Sequence, residues 1–337
     1  MTAQRRSVTM ADVARHAGVS RTTVSFVLSE RASANIPEET RARILEAVAA
    51  LGYRPNAGAR ALAAQRTRLI GLITDVVTTP FGAGIIRGAQ DRARMQGQSL
   101  LIASINGDPA LDEEAVEMML EHRVEGLVCA TGEHRAFDPP PSLAGIPTVL
   151  VHCFDEAGRL PAVVPDEVAG GYVATRRLID AGHRRIGFIN LDPRSVAAQG
   201  RLEGYHRALR EADIDPDGSL VRNGHATADG GYVEAAALLD TTHPPSALFC
   251  GTDRMAMGAY DAIKERGLAI PRDVAVVGFD DQEVIAGYLR PGLTTVALPF
   301  EEMGARAVEM LGNHKAEQPT TTGTVAIDCP LVERSSV

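Results

Sequence analysis

Apolar residues near the start of the chain recur at helical spacing and predict three short helices. Their stripes are, in chain order, Val13, Ala14 and Ala17; Val24, Val27 and Leu28; and Ile44, Ala47, Val48 and Leu51. Capping residues precede the stripes: Thr9 with Asp12, then Ser20, then Pro37 followed by two glutamates. Gly18 and Gly52 fit the left-handed residues that end the first and third helices. Because such short helices need a shared core, the pattern predicts a small helical domain.

The second helix leaves four side chains, Arg21, Thr22, Ser25 and Phe26, on its outward face. A helix this short buries too little surface to be stable alone, so its use is to present those residues to a partner. The spacing fits two structures equally well. One is a helix-turn-helix over residues 9–28 that enters a DNA groove, and the other is a two-helix corner of a larger fold.

From Leu69 onward, short apolar runs alternate with helical stretches. Strands are predicted at 69–73, 100–103, 127–129, 149–151, 186–190, 247–250 and 274–278, and helices at 83–95, 115–121, 169–179, 202–211, 232–239 and 255–266. Continuous apolar strands between helices predict parallel sheets that are covered on both faces. The alternation occurs in two sets, so we expect two lobes with a cleft between them. In such folds the ligand lies beyond the carboxyl ends of the strands.

Charge is distributed unevenly along the chain. The formal net charge is −9, yet residues 1–68 contain eleven arginines and five acids, which leaves +6 on this head and −15 on the remainder. A basic head on an acidic body predicts that a polyanion is contacted by the head only.

The four cysteines, Cys129, Cys153, Cys250 and Cys329, lie in or beside apolar runs, and none forms a C-x-x-C pair. They are expected to be buried free thiols in a reducing compartment. Since no signal peptide or membrane-length apolar run is present, a cytoplasmic protein without a membrane partner is expected. The sequence contains no Ser-His-Asp order, H-E-x-x-H, phosphate loop or paired-cysteine metal site, so no enzyme, metal or cofactor is predicted.

Several longer motifs follow one another in a specific order. In the head they are V-T-M-A-D-V-A-R-H-A-G-V-S-R-T-T-V-S, E-E-T-R-A-R-I-L-E-A-V-A-A-L-G-Y-R-P-N and A-R-A-L. In the body they are G-G-Y-V-A-T-R-R-L-I-D-A-G-H-R-R-I-G-F-I, G-T-D-R-M-A-M-G-A, V-A-V-V-G-F-D-D and L-V-E-R-S-S. Each is modest evidence alone, but their order and spacing resemble the lactose-repressor/galactose-repressor (LacI/GalR) family of bacterial regulators over essentially the whole chain.

The resemblance implies an α/β protein in three parts. These are a three-helix helix-turn-helix DNA-binding head at 1–55, a hinge helix at 56–66, and a two-lobed core of doubly wound parallel sheets at 67–337 that resembles periplasmic sugar-binding proteins. In this family the chain crosses between the lobes three times, and we place the crossings near Leu160, Pro291 and Ile327. The N-terminal lobe is then 67–160 with 292–326, and the C-terminal lobe is 161–291 with 327–337. The leucine-rich tail that makes the lactose repressor tetrameric does not follow L-V-E-R, so a homodimer is expected.

In the head, the resemblance implies that Arg21, Thr22 and Phe26 read bases. Arginine can donate two hydrogen bonds to one guanine, and threonine can contact a thymine methyl group. Phe26 stands where the lactose repressor has an arginine, so a different base preference is expected there; the alternative is that Phe26 packs within the head. Thr23 and Ser25 are expected to contact phosphates, which position the head without reading sequence.

The segment that follows the head is rich in alanine and too short to form a stable helix alone, so we expect a linker that becomes helical on docking. Leu62 matches the hinge leucine that family members insert into the minor groove, where an apolar wedge kinks the duplex. The alternative is a buried helix leucine. Arg60 is expected to contact a phosphate.

In the core, Arg201 and Asp280 match effector-binding positions of the family at the mouth of the C-terminal lobe. Their fixed donors and acceptors suit sugar hydroxyl groups, so a small polar effector, by family habit a carbohydrate, is expected. Thr252 and Asp253 either join them or cap the following helix.

Two further cleft positions depart from the family pattern. Phe81 lies in T-P-F-G, where the family often has N-P-F-F, and the loss of the second aromatic residue argues against a purine-like ligand. His152 stands where the lactose repressor has a ligand-contacting aspartate; the alternative is a strand-end histidine with no role.

The predicted function is a homodimeric transcription factor, foremost a repressor, that binds pseudo-palindromic double-stranded operator DNA and responds to a small effector. Two other classes are a solute-binding protein of a transporter, which would share the core, and an enzyme on a doubly wound fold. The basic head and the missing signal peptide oppose the first, and the lack of a catalytic constellation opposes the second. The sequence leaves open whether the effector releases the operator or acts as a co-repressor.

Overall fold

The computed structural model describes residues 8–28, 36–54, 58, 66–75, 77, 82–105, 109–313 and 323–337, apart from the side chains of 109–112 and 313. The chain divides into two compact units, residues 1–68 and residues 69–337. We call the first unit the head and the second unit the core.

The head contains three helices, α1 (Met10–Ala17), α2 (Arg21–Leu28) and α3 (Glu38–Leu51). The predicted start signals are present. The Asp12 carboxylate accepts a hydrogen bond from the Thr9 backbone N–H at 2.9 Å, and Ser20 Oγ accepts one from the Thr23 N–H at 3.0 Å. Gly18, with a φ of 65°, ends α1 in the left-handed conformation that glycine adopts without strain.

The three helices share one small core, as their stripes predicted. Val13, Val24 and Ile44, one from each helix, are fully buried in a single hydrophobic cluster. Tyr53, two residues after the end of α3, is also buried in this cluster.

The first lobe of the core is a doubly wound, six-stranded parallel sheet. Its strands are β1 (Leu69–Thr74), β2 (Ser99–Ser104), β3 (Leu127–Ala136), β4 (Thr148–Phe154), β5 (Ala162–Pro165) and β11 (Thr324–Ile327). They lie in the order β11-β5-β4-β3-β1-β2. Helices α4 (Gly82–Met95) and α11 (Phe300–Asn313) cover one face, and α5 (Pro109–Glu121) lies on the other.

The second lobe repeats this plan around another six-stranded sheet. Its strands are β6 (Ile186–Asn190), β7 (Val221–Asn223), β8 (Ala247–Cys250), β9 (Ala275–Asp280), β10 (Thr294–Ala297) and β12 (Leu331–Val332). The order is β12-β10-β9-β8-β6-β7, and only β12 runs antiparallel to its neighbour. Helices α6 (Glu167–Asp180) and α7 (Val196–Glu211) cover one face, α8 (Ala228–Leu239) and α9 (Asp253–Glu265) cover the other, and the short α10 (Glu283–Ala286) follows β9.

Helices α6 and α7 touch backbone to backbone because each has a glycine at the contact. A Cβ atom at Gly171 would collide with the main chain of Arg201, and one at Gly204 would collide with the carbonyl oxygen of Val168. This contact fixes the position of α6 and α7, which between them carry Glu167 and Arg201, the two ends of a buried ion pair described below.

The structure corrects two of the three predicted lobe crossings. Strand β5 belongs to the first sheet while α6 packs on the second, so the chain crosses at Asp166 and not near Leu160. Strand β10 belongs to the second sheet while α11 packs on the first, so the chain crosses again between Ala297 and Phe300 and not near Pro291. Both errors have one reason: neither β5 nor β10 was predicted as a strand, so each crossing was placed before the strand and not after it. The third crossing follows β11 in the first sheet, which ends at Ile327, and leads to β12 in the second sheet.

All four cysteines are free and buried, as predicted. Among the described helices, none combines the length and the apolar character that a membrane span requires.

Candidate functional site

The outward face of α2 is the candidate contact surface of the head. Arg21 and Thr22 are exposed, while Val24 and Val27 on the opposite face are buried. The α2 helix therefore presents a cationic and a hydroxyl side chain at its N-terminal end, with its other side anchored in the head core.

The remaining predicted contact residues of the head are less exposed. Thr23, Ser25 and Phe26 are half-buried, and Phe26 has an interaction within the protein. The Thr23 hydroxyl lies 2.8 Å from Ser20 Oγ, so part of its hydrogen-bonding capacity serves the helix start. Arg60 and Leu62, which the sequence assigned to a phosphate and to the minor groove, lie outside the described residues.

A large cleft opens between the two lobes of the core, where the carboxyl ends of the parallel strands meet. Its volume is about 1310 Å³, which is ample for a small organic molecule. Its first-lobe wall includes His134, His152, Phe154 and Phe300. Its second-lobe wall includes Asp192, Ser195, Arg201, Thr252, Arg254, Asp280 and Gln282.

Arg201 lies on the second turn of α7 with its side chain only 3% exposed. Its Nε donates to Glu167 Oε2 at 2.8 Å, and its Nη1 donates to the carbonyl oxygen of Gly251. The guanidinium carbon lies 3.7 Å from the centre of the Phe279 ring, on which it stacks. Nη2 donates to no atom in the described part of the chain, so it remains available to a ligand in the cleft.

Glu167, at the start of α6, is the direct partner of Arg201 and was not predicted as a site residue. Its other oxygen, Oε1, accepts a hydrogen bond from His134 Nδ1 at 3.3 Å, and this bond joins the two lobes. Burial alone would raise the pKa of Glu167, but Arg201 and the His134 hydrogen bond outweigh it and lower the pKa to about 2. Glu167 is therefore ionised at neutral pH and balances the charge of Arg201.

Asp280 ends β9 and lines the same cleft as Arg201, as the sequence predicted. Its backbone φ of 112° is rare for a residue with a side chain and indicates strain at this turn. Asp280 Oδ2 accepts a hydrogen bond from Gln282 Nε2 at 3.1 Å, while Oδ1 accepts none from the described residues. Burial raises the pKa of Asp280 to about 7, although Arg201 and Gln282 act in the opposite direction.

Thr252 and Asp253 have different surroundings. Thr252 lines the cleft and also caps α9, because its Oγ1 accepts a hydrogen bond from the Met255 N–H at 3.1 Å. Asp253 is fully buried and is not among the residues that line the cleft, so its predicted effector contact is corrected to a supporting role. Its carboxylate accepts hydrogen bonds from the Gln282 N–H at 2.7 Å and from Thr295 Oγ1 at 2.6 Å, which fixes the turn that carries Asp280.

His152 lies on β4, lines the cleft and is buried. Its Nδ1 donates to the carbonyl oxygen of Thr131 at 3.1 Å, and its ring meets Phe300 edge to face with centroids 5.3 Å apart. Burial lowers the pKa of His152 to about 4, so the ring is neutral at pH 7 and its Nε2 is a hydrogen-bond acceptor.

The structure therefore brings together four of the six predicted effector residues, Arg201, Asp280, Thr252 and His152. Phe81 lies outside the described residues. Sequence reasoning missed Glu167, His134 and Gln282, and only Gln282 had a local signal, its place directly after the predicted aspartate pair. No group of three potential ligands arranged to hold a metal ion occurs within the described ranges.

Two family models match the chain. One, described as bacterial regulatory proteins of the lacI family, matches residues 9–56, and the other, a periplasmic binding protein-like domain, matches residues 175–337. The ribose operon repressor of Haemophilus influenzae is 35% identical over 330 residues, which span 98% of each chain.

Solved structures that are similar over both units include the following two. The lac repressor dimer bound to operator and the anti-inducer ONPF is 28% identical, with a TM-score of 0.79 over 98% of this chain and 99% of that one. The complex of the transcriptional regulator CelR with cellobiose is 31% identical, with a TM-score of 0.68 over 98% of this chain and all of the other.

Proposed function

Because the chain belongs to the lacI family of bacterial regulatory proteins and is a ligand-responsive transcriptional repressor, we propose that it binds a pseudo-palindromic operator as a homodimer and that a carbohydrate in the inter-lobe cleft controls its affinity for DNA. One observation carries the proposal. The buried Arg201 and Asp280 both line one large cleft, where Arg201 keeps an unused hydrogen-bond donor and Asp280 an unused acceptor. The head of the same chain presents Arg21 and Thr22 at the exposed N-terminal end of α2.

On the DNA side, Arg21 donates to a guanine and Thr22 contacts a neighbouring base edge, while Phe26 offers the exposed part of its ring to a thymine methyl group. Thr23, Ser25 and Arg60 hold phosphates, and Leu62 enters the minor groove. Two copies of the head would then read two half-sites, which the two-fold symmetry of a dimer relates.

On the effector side, the Nη2 of Arg201 and the Oδ1 of Asp280 offer a donor and an acceptor to vicinal hydroxyl groups. Thr252 and His152 add further polar contacts from opposite lobes, and Phe81 is a further contact of the same site. The aromatic rings of Phe154 and Phe300 provide apolar surface of the kind that covers the faces of a sugar ring. The names of two relatives, the ribose operon repressor and the CelR–cellobiose complex, support a sugar as the effector class.

The test is a gel shift with the DNA upstream of the protein's own gene, repeated with a panel of sugars. We expect a retarded band that Arg21→Ala weakens or alters in base preference, and a change in operator affinity with one of the sugars. Linkage requires that operator DNA change the affinity for this sugar by the same factor. A retarded band that no sugar affects would overturn the carbohydrate, and the absence of any specific band would overturn the operator assignment.

A further inference from the structure

The positive charges of the cleft are neutralised by acids of the same site. Three of its four arginines form ion pairs: Arg201 with Glu167 at 2.8 Å, Arg194 with Asp192 at 2.6 Å, and Arg135 with Asp75 at 3.6 Å. The fourth, Arg254, acts on Asp280, whose pKa its charge helps to lower. The described wall therefore contains no arginine without a nearby carboxylate.

The formal charges of the wall lead to the same conclusion. The described lining includes four arginines and five acids, namely Asp75, Glu133, Glu156, Asp192 and Asp280, and Glu167 lies directly behind Arg201. His152 adds no positive charge at neutral pH because burial lowers its pKa to about 4. Burial raises the pKa of Asp280 to about 7, so its charge is partial at neutral pH. The other four acids still balance the four arginines, and the described wall therefore has no arginine surplus with which to compensate an anion.

Helix N-termini are the other common source of positive potential in such clefts. The N-termini of α7 and α9 lie at the wall of this cleft. Both are already capped by side chains. Ser195 Oγ accepts a hydrogen bond from the Ala198 N–H at 3.2 Å at the start of α7, and Thr252 Oγ1 caps α9 in the same way. Each cap occupies one of the N–H groups that an anion would otherwise bind.

The buried residues of the cleft wall do offer hydrogen-bond donors and acceptors, and their formal charges balance one another. Arg201 Nη2 is a donor, and Asp280 Oδ1 and His152 Nε2 are acceptors, all at nearly buried residues. A hydroxyl group can accept from the first and donate to the second or third, so neighbouring hydroxyls satisfy all of them. An ionised phosphate or carboxylate oxygen is an acceptor only. It could accept from Arg201 Nη2, but it could donate neither to Asp280 Oδ1 nor to His152 Nε2, and it would lie beside the carboxylates of Asp280 and Glu167.

We propose that the effector is an uncharged polyhydroxy compound, an unphosphorylated sugar, and that the cleft rejects the phosphate and carboxylate derivatives of the same sugar. This inference rests on the proposed function, in which the cleft holds a carbohydrate. Its physical basis is desolvation: an anion that enters this cleft loses its water shell and finds no unpaired cation in exchange.

The experiment is isothermal titration calorimetry of the full-length protein with matched pairs. The probes are D-ribose and D-ribose 5-phosphate, D-glucose and D-glucose 6-phosphate, and D-glucose and D-glucuronate. We expect binding of a neutral member and an affinity about tenfold or more lower for its charged partner. Equal or tighter binding of the charged partner overturns the inference and leaves the proposed function standing. Binding of no probe overturns the carbohydrate proposal and this inference with it.

A variant of Glu167 tests whether the charge of this residue is the cause of the preference for the neutral sugar. In Glu167→Gln the amide keeps the size of the side chain but leaves Arg201 with an uncompensated charge, so the preference for the neutral member should shrink by about tenfold. Glu203→Gln, at an exposed residue of α7 that does not line the cleft, is the matched control and should leave the preference nearly unchanged. Thermal melts establish that both variants are folded. If a folded Glu167→Gln protein keeps the full preference, the Glu167 charge does not set the selectivity and the inference is overturned.

Discussion

Truncation of Arg201 to alanine is expected to destabilise the core by about 3–5 kcal/mol, the range found when one partner of a buried ion pair is removed. The structure gives an independent magnitude. Arg201 and Glu167 are 3% and 4% exposed, so solvent screens their interaction little. The fall in the pKa of Glu167 from its ordinary 4.5 to about 2 corresponds to about 3 kcal/mol of stabilisation at neutral pH.

The sign of the pH dependence follows from the direction of that change. Because folding lowers the pKa of Glu167, its stabilisation is fully present above pH 4.5 and is lost as the pH falls from there toward 2. Without Arg201, burial would instead favour the protonated carboxyl group. The cost of Arg201→Ala should therefore be greatest at neutral pH and should shrink in acid.

The assay is urea unfolding followed by far-ultraviolet circular dichroism, since the chain has no tryptophan. Two variants serve as controls. Arg194→Ala breaks an ion pair whose side chains are 89% and 51% exposed, so it should cost less than about 1 kcal/mol. The double variant Arg201→Met, Glu167→Leu replaces both charges by apolar groups and should be much closer to the parent than Arg201→Ala.

Two results would refute the reasoning. One is a cost of Arg201→Ala no larger than that of Arg194→Ala. The other is a double variant as unstable as Arg201→Ala itself, because then the loss would come from packing and not from an unpaired buried charge.

Four further outcomes are expected. The melting temperature should fall between pH 6.5 and about 4 as His152 is forced to accept a proton, and His152→Asn should flatten this dependence; an unchanged slope contradicts the burial argument. Gly171→Ala should cost about 1–3 kcal/mol in thermal unfolding because its methyl group meets a neighbouring backbone, whereas Gly218→Ala, with open space around it, should change little. Arg21→Ala should relax operator preference at one symmetric base pair at a cost of ~1–3 kcal/mol, measured by competition gel shift; retained preference would reassign Arg21. Leu62→Ala should reduce DNA bending in a circular-permutation gel shift, and an unchanged bend would exclude the wedge.

The helices of the head were predictable because their signals are local. Thr9 with Asp12, Ser20, and the two glycines stand within a few residues of the helix ends that they determine. Tyr53 escaped prediction because its burial depends on three helices at once, none of which a short window contains.

The candidate site was predictable only where a motif carried it. Arg201 and Asp280 lie in motifs that resemble a family pattern, whereas Glu167 and His134 meet across 33 positions of sequence and two lobes. Asp253 shows the opposite failure. It lies in a recognisable motif, but the motif does not report that Asp253 itself is fully buried. Its carboxylate accepts a hydrogen bond from the backbone N–H of Gln282, and the residue does not line the cleft.

The repeated crossing between lobes also has a consequence for the nascent chain on the ribosome. Strands β1 to β5 are complete by Pro165, but the face that α11 covers waits until residues 300–313 are made. More than a hundred residues separate the two, and at roughly 5–20 residues per second their translation takes on the order of ten seconds. During that interval Ile70, Leu72 and Val128 lack part of their native cover. Chaperone capture in the cell should therefore concentrate on this half-built first lobe, while the second lobe is still being synthesised.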